Sequence, residues 1–293
     1  MAEDSTARPV AGTQPGSLEP LELLYEEAGQ PSFGLPATLA TAYGGDLGFT
    51  TPCVYANFVA SLDGVVALGP EYPSSGSAIS GREPADRFVM GLLRACADAV
   101  LIGAGTLRAT PRHLWTPDHV CPQAAPDFRE LRRSLKRATP RNWLWSQRAA
   151  MCPPSTQPCS RARSWPPPRT APADSRAACR QPARYSPRSR TRLRMADVLA
   201  ALHTHGHTAV LTEGGPRLIG HLLGEGLLDE LFLTTSPVLA GRAGTPRPGV
   251  ISGLELLPNQ PAWTDLISAR RRDSYLFLRY RLRTPSGGPA LAH

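Results

Sequence analysis

Glu213 stands directly before Gly214-Gly215-Pro216-Arg217-Leu218-Ile219-Gly220. An acid followed by two glycines at a helix start offers two kinds of chemistry. The N–H groups that a glycine turn leaves free, with the positive end of a helix dipole behind them, favour a phosphate. The carboxylate can orient a substrate or relay a proton. Gly103-Ala104-Gly105-Thr106 is a second glycine turn at the end of an apolar run. It is G-x-G without a third glycine, since position 108 is Arg108, so the dinucleotide fingerprint fails. Two such tips side by side in a sheet would still frame one crevice. The plain alternative is an ordinary strand-to-helix turn in each case, with Glu213 merely complementing the dipole. His203-x-His205-x-His207 is a third candidate set. It sits in a polar turn without an acid or cysteine partner nearby, so no metal is expected there.

These residues need elements to hold them. Ala209-Val210-Leu211 reads as a short buried strand ahead of Glu213. Leu218, Ile219, Leu222 and Leu223 recur at helical spacing after it, with Pro216 suited to the first helical position. Val54 onward begins as a strand and bends at Asp63-Gly64. Glu83 to Ala97 reads as an amphipathic helix burying Phe88, Leu92, Leu93 and Cys96. Strands are expected at 98–102, 231–235 and 275–280, and a helix from Ala196. Leu21 to Glu27 is expected to form a short helix, and 29–52 to be mostly loop. Strands alternating with helices, then a late hairpin, give an α/β class.

Composition narrows the function. No apolar run is long enough to span a membrane, and no secretory signal is visible, so a cytoplasmic protein is expected. The six cysteines form no C-x-x-C pair, and Cys53 and Cys96 lie in apolar runs as buried thiols. The net charge of +8 suggests nucleic acid until it is localised. Residues 138–194 hold twelve arginines and one acid, Asp174, so the rest of the chain is net negative. No aromatic stacking motif or basic helix face supports nucleic-acid binding.

That middle segment also holds ten prolines, three of the five tryptophans and three of the six cysteines, with no apolar periodicity. A disordered basic linker is one reading, although tryptophan and cysteine are unusual in linkers. The preferred reading is translation in a shifted frame. Taking the third base of each codon with the first two of the next, Arg141 to Ser146 can encode Lys/Glu/Gln, Leu, Val, Val/Leu/Met, Val, a buried strand. The ordinary frame resumes near Met195. As written, the segment is expected to be an irregular excursion that leaves the sheet one strand short, with an exposed edge.

Ala56-Asn57-Phe58-Val59-Ala60-Ser61-Leu62-Asp63-Gly64, Ala97 to Thr106, Glu213 to Leu218, Leu227-Leu228-Asp229-Glu230-Leu231 and Ser236-Pro237-Val238-Leu239-Ala240-Gly241 follow one another in an order and spacing that resemble the reductase domain of riboflavin biosynthesis. The resemblance covers about 54–110 and 195–282. It implies a dihydrofolate-reductase-like α/β single domain: a central, mostly parallel sheet, helices on both faces and a C-terminal antiparallel hairpin. Residues 1–52 would form an N-terminal tail with a short helix, 53–283 the reductase domain interrupted by 138–194, and 284–293 a C-terminal tail. It further implies NADPH as cofactor and reduction of the ribose of 5-amino-6-(5-phosphoribosylamino)uracil to the ribityl form. Ala60, Gly103, Gly105, Thr106, Thr110, Gly214, Gly215, Pro216, Arg217, Leu218 and Ile219 match the cofactor side. Asn57, Ser61, Ser80, Arg94 and Glu213 match the substrate side, and Glu213 and Asp63 the catalytic positions. Where many members carry Asp soon after G-T-x-x-A, this chain has Thr110. Each assignment has a plain counterpart: Ser80 and Thr106 as helix caps, Arg94 as a solvated helix end, Asp63 as a turn former. The resemblance implies a phosphoribosyl-pyrimidine partner and a homodimer, with no fused deaminase, since no H-x-E with a later P-C-x-x-C occurs. The alternatives are an inactive nucleotide-binding relative and a reductase of another small carbonyl or imine.

Overall fold

The computed structural model describes residues 18–69, 72, 75–103, 105–106, 113–137, 194–244 and 246–283, and the backbone alone of 141–146 and 149–152. Among these residues one sheet of nine strands forms the centre. The strands are β1 (Glu22–Glu26), β2 (Cys53–Ala60), β3 (Ala99–Gly103), β4 (Arg141–Ser146), β5 (Ala149–Cys152), β6 (Ala209–Thr212), β7 (Glu230–Thr235), β8 (Thr264–Arg272) and β9 (Tyr275–Leu282). Their spatial order is β1-β8-β9-β7-β2-β6-β3-β4-β5. The block β7-β2-β6-β3-β4 is parallel. β9, β8 and β1 extend it on one side and β5 on the other, each antiparallel to its neighbour.

Strand periodicity divides the core in two, because alternate side chains point to opposite faces. Cys53, Tyr55, Val100, Ile102 and Leu211 face α1 (Ala37–Tyr43), α3 (Pro84–Cys96) and α5 (Ala125–Ser134). Val54, Ala56, Ala99, Leu101 and Val210 face α6 (Met195–Thr204) and α7 (Pro216–Gly224). Two shorter helices, α2 (Ser75–Ile79) and α4 (Pro117–Val120), flank the first layer. Parallel strands covered on both faces read as continuous apolar runs, which is why β3 and β6 stand out in the sequence.

α3 carries much of the site. Pro84 opens it and the Glu83 carboxylate accepts from the Ala85 N–H at 3.3 Å. At its far end the Arg132 guanidinium, on α5, donates to the carbonyls of Ala95 at 3.0 Å and Ala97 at 2.7 Å. That satisfies acceptors a helix end leaves open and sets a cation at the negative end of the dipole. The two helices touch closely: a Cβ at Gly91 would lie 2.7 Å from the Phe128 ring.

Two expectations change. Leu21 to Glu27 is not a helix. Its residues 22–26 form β1 on the edge of the sheet, with Glu22 and Glu26 paired to Arg271 and Arg270 of β8. A seven-residue helix is marginal alone, whereas an edge strand borrows its partner's backbone groups. Residues 29–52 are mostly loop, as expected, around the short α1, and Leu39, Tyr43, Leu47 and Phe49 lie in the core. The sheet is not one strand short in the frame as written: Arg141–Ser146 pairs in parallel with β3, Val100 opposite Asn142 and Ile102 opposite Leu144. A short run rich in tryptophan suits a strand, and register to β3 needs only backbone partners. Residues 1–17, most of 138–194 and 284–293 lie outside the described residues, and with them the expectations for the tails and for an irregular excursion. No helix among the described residues is long and apolar enough to cross a membrane.

Candidate active site

Because β2, β3, β6 and β7 are parallel, their carboxyl ends emerge on one edge of the sheet, where α/β folds place ligands. A cleft of about 1480 Å³ lies there. Of the residues expected at the site, Asn57, Ser80, Arg94, Gly103, Gly105, Thr106, Glu213, Gly214, Gly215, Pro216, Arg217 and Leu218 line it.

The two glycine tips face each other. A Cβ added to Gly103 would sit 3.9 Å from the Gly215 nitrogen and 4.0 Å from Thr106 Oγ1; one on Gly215 would sit 3.8 Å from the same hydroxyl. Neither would clash, so both glycines keep a groove open rather than relieve a steric conflict. Gly214 differs: its Cβ would fall 2.2 Å from Leu218 Cδ2, so this glycine lets the turn pack onto its own helix. Pro216 opens α7 and Arg217 is exposed at the rim. A glycine turn, a helix start and an arginine together suit a phosphate-bearing ligand.

Arg94 and Glu213 form the floor. Arg94 Nε donates to Glu213 Oε1 at 2.9 Å and Oε2 at 3.2 Å, and Nη2 donates to Oε2 at 2.6 Å. Their side chains are 1% and 7% exposed, so the pair is desolvated and each charge depends on the other. Arg94 Nη1 also donates to the Thr116 carbonyl at 3.3 Å, and the Trp115 ring lies 5.3 Å from the guanidinium carbon. Arg94 Nη2 lies 3.2 Å from His113 Nε2. A guanidinium has no lone pair, so His113 accepts there and carries its proton on Nδ1. Burial, then the Arg94 charge, pushes His113 down to about 4, which leaves it neutral at physiological pH.

Asp86, in the first turn of α3, also lines the cleft and is 5% exposed. The Thr234 hydroxyl on β7 and the Ser80 hydroxyl donate to it. Burial foremost, with the Glu83 and Glu213 carboxylates adding to it, raises it to about 6 despite those hydrogen bonds. An acid in the first turn of a helix reads from sequence as a dipole partner, so nothing there singles out Asp86. Its spacing of two helical turns from Arg94 is the signal that was available. His113, Trp115 and His119 were missed as well, because they follow the glycine turn on a segment without periodicity.

Four expected residues stand outside the cleft lining. Ile219 is fully buried between the helix and the sheet, on the inner side of α7. Ala60 is buried, and its carbonyl accepts from the Ser236 N–H at 2.8 Å within the strand edge. Ser61 is buried and donates to Asp63 Oδ1 at 2.6 Å. The Asp63 carboxylate also accepts from the N–H groups of Ala240 at 3.0 Å and Gly241 at 2.9 Å. These bonds, the Ser61 hydroxyl foremost, hold Asp63 down at about 2. It clasps the loop after β2 to the loop after β7, outside the cleft lining. Thr110 lies outside the described residues. His205 turns its Nδ1 to the Ala201 carbonyl at 2.7 Å, and no group of three His, Cys, Asp or Glu with metal-holding geometry exists among the described residues.

The family model for the RibD C-terminal domain matches residues 52–260. No curated protein matches the sequence. Among solved structures, a pyrimidine reductase-like protein from Corynebacterium diphtheriae is 21% identical with a TM-score of 0.51, covering 86% of this chain and 96% of that one. The diaminohydroxyphosphoribosylaminopyrimidine deaminase/5-amino-6-(5-phosphoribosylamino)uracil reductase of Thermotoga maritima is 18% identical, also at 0.51, covering 80% and 57%. RibD of Acinetobacter baumannii is 18% identical at 0.51, covering 84% and 61%. The chain thus spans about three fifths of the length of the last two. These likenesses agree with the α/β sheet and its C-terminal antiparallel strands. By the match over most of its length, the chain belongs to the RibD C-terminal domain family.

Proposed function

We propose that this chain is an NADPH-dependent reductase that acts on a phosphoribosyl-pyrimidine, with 5-amino-6-(5-phosphoribosylamino)uracil as the first substrate to test. The observation that carries the reading is the open groove between the Gly103 and Gly215 tips, beside the start of α7 and continuous with a buried arginine–carboxylate pair. The groove fits a dinucleotide: two glycines without Cβ atoms, the positive end of a helix, and an exposed arginine within the same lining. Gly103, Gly105, Thr106 and the turn Gly214 to Leu218 would hold it. When bound, the cofactor supplies a hydride, and the protein's task is alignment and exclusion of water.

The chain's own residues divide that task. Asn57, Ser80, Arg94 and Glu213 line the part of the cleft beyond the groove, and their polar groups would receive the substrate. Both Glu213 oxygens are already taken by Arg94, so Glu213 orients through this fixed pair. His113, neutral and hydrogen-bonded to Arg94, holds the guanidinium from the other side. Asp63 positions the loop after β2 from outside the cleft. We place the enzyme in the cytoplasm as a homodimer. Exposed Trp263 and Leu266 on and beside β8, with Leu23 and Tyr25 on β1, supply apolar surface for a second copy. The dimer fails if sedimentation finds a monomer at micromolar concentration.

The test is consumption of NADPH by the full chain in the presence of the phosphoribosylaminouracil. Oxidation to a product heavier by two hydrogens supports the reading. No NADPH binding and no turnover would refute it.

A further inference from the structure

The reduction proposed above consumes one proton as well as one hydride, and the cleft offers few groups to hold that proton. Arg82, Arg87, Arg94, Arg217 and Arg247 line it, but guanidinium groups do not give up protons in the physiological range. Glu213 has both oxygens occupied by Arg94. His113 accepts from Arg94 through Nε2. Tyr72, His119 and His221 are further titratable groups of the lining, but Asp86 is its one carboxyl group that no arginine pairs with among the described residues. Its carboxyl group lines the cleft, and its partners are two neutral hydroxyls, Ser80 and Thr234. No ion pair among the described residues reaches it, although it sits in a wall rich in arginines.

We propose that Asp86 holds the proton that the reduction consumes and delivers it to the substrate, as a catalytic residue of this cleft; the proposal rests on the reductase reading. The step balances. A C–H bond forms at the acceptor carbon from the hydride, and the π pair of the C=N or C=O group moves onto nitrogen or oxygen. That atom takes the proton as the Asp86 O–H bond breaks. The carboxylate then recovers a proton from water at the cleft mouth, so each turnover takes one hydride from the reduced cofactor and one proton from solution.

The groups that face Asp86 favour this. Glu83 at the start of its own helix and Glu213 across the cleft both disfavour a negative charge on it. Burial acts in the same direction and outweighs the Ser80 and Thr234 hydrogen bonds, which favour the charged form, so the carboxyl group titrates at about 6. A substrate phosphate in the cleft would push it higher still.

Three measurements on the full chain test this. Carbon-13 NMR of the ligand-free protein, with D86N as the assignment control, should show a carboxyl group titrating near 6. In steady state, wild-type kcat should fall as pH rises through the Asp86 transition. D86N should lose that limb and on the order of 100-fold in kcat, while keeping its NADPH affinity within about twofold. T234V removes a hydroxyl that favours the charged form, so it should move the limb up by about half to one pH unit even if D86N folds poorly. A merely structural Asp86 would not move the limb. The role is overturned if D86N keeps wild-type kcat and pH profile, or if T234V leaves the limb in place. If wild type neither binds NADPH nor turns over, the reductase reading fails and this role fails with it. If wild type turns over and D86N matches it, only the role of Asp86 fails.

Discussion

The Arg94–Glu213 pair should separate stability from function. Three hydrogen bonds join the two side chains at 2.6 to 3.2 Å, and Arg94 is 1% exposed. Removing Glu213 alone, as in Glu213→Ala, strands a buried guanidinium with two carbonyls, a neutral imidazole and the Trp115 ring for company. Breaking a buried pair in this way costs about 3–5 kcal/mol. At about 2–4 °C per kcal/mol for a chain of this size, the melting temperature should fall by roughly 6–20 °C. Arg94→Met should do similar damage, because it leaves Glu213 buried without its cation. The double variant, Arg94→Met with Glu213→Leu, removes both charges and fills the space with apolar atoms, which is often neutral or stabilising. It should recover most of the lost melting temperature and none of the activity. Calorimetry and NADPH oxidation on the four proteins give the answer. The reasoning is refuted if Glu213→Ala costs under about 1 kcal/mol, or if the double variant is as unstable as the worse single one.

Other outcomes follow from single contacts. Gly103→Val should leave the fold intact, since the nearest atoms to an added Cβ lie at 3.9 Å, yet weaken NADPH binding at least about tenfold; Gly214→Ala should lower stability instead, because its Cβ would fall 2.2 Å from Leu218 Cδ2. Asp86 sits above its ordinary carboxylate value, so the folded state binds a proton more tightly than the unfolded chain and loses stability as pH rises from about 4 to about 6. Asp86→Asn should therefore gain about 1–1.5 kcal/mol on wild type between pH 5 and pH 7.5 in urea unfolding, and no gain would contradict the burial argument. Asp63 shows the opposite sign: held at about 2, it supports the fold above its unfolded value and loses that effect as pH falls through about 2. The deficit of Asp63→Asn should accordingly be present at pH 7 and shrink below pH 4. Cys96, raised by burial to about 12, and Cys53, raised further, should resist alkylation in the native protein and react only on unfolding, as read site by site in a mass spectrometer.

Much of the fold was legible because the parallel strands are buried on both faces. The apolar runs at 53–60, 99–103 and 209–212 announce themselves without alternation. β1 was not legible: Leu23, Leu24 and Tyr25 are exposed, and only pairing to β8 makes them a strand. β4 was hidden inside an arginine- and proline-rich segment, where extended backbone beside β3 needs no apolar pattern. We still propose the shifted frame for the rest of 138–194; intact mass of the native protein against its gene sequence decides it. The site divides in the same way. Gly103, Gly215, Arg94 and Glu213 converge as their types and spacing suggest. Asp63 does not join them, because the loop three residues past β2 folds back to meet Ala240 and Gly241. Asp86 escaped notice because burial, which gives it its proton affinity, is a property of the folded chain.

The most direct test follows the hydride. NADPH deuterated at the transferred position of the nicotinamide C4 is incubated with the full chain and 5-amino-6-(5-phosphoribosylamino)uracil, and the product is analysed by mass spectrometry and carbon NMR. The account predicts one deuterium per product molecule, on the carbon that was the ribose anomeric centre, with one NADPH oxidised for each ribityl product formed. An unlabelled product, a label elsewhere, or no product from a protein that is folded and binds NADPH would contradict it.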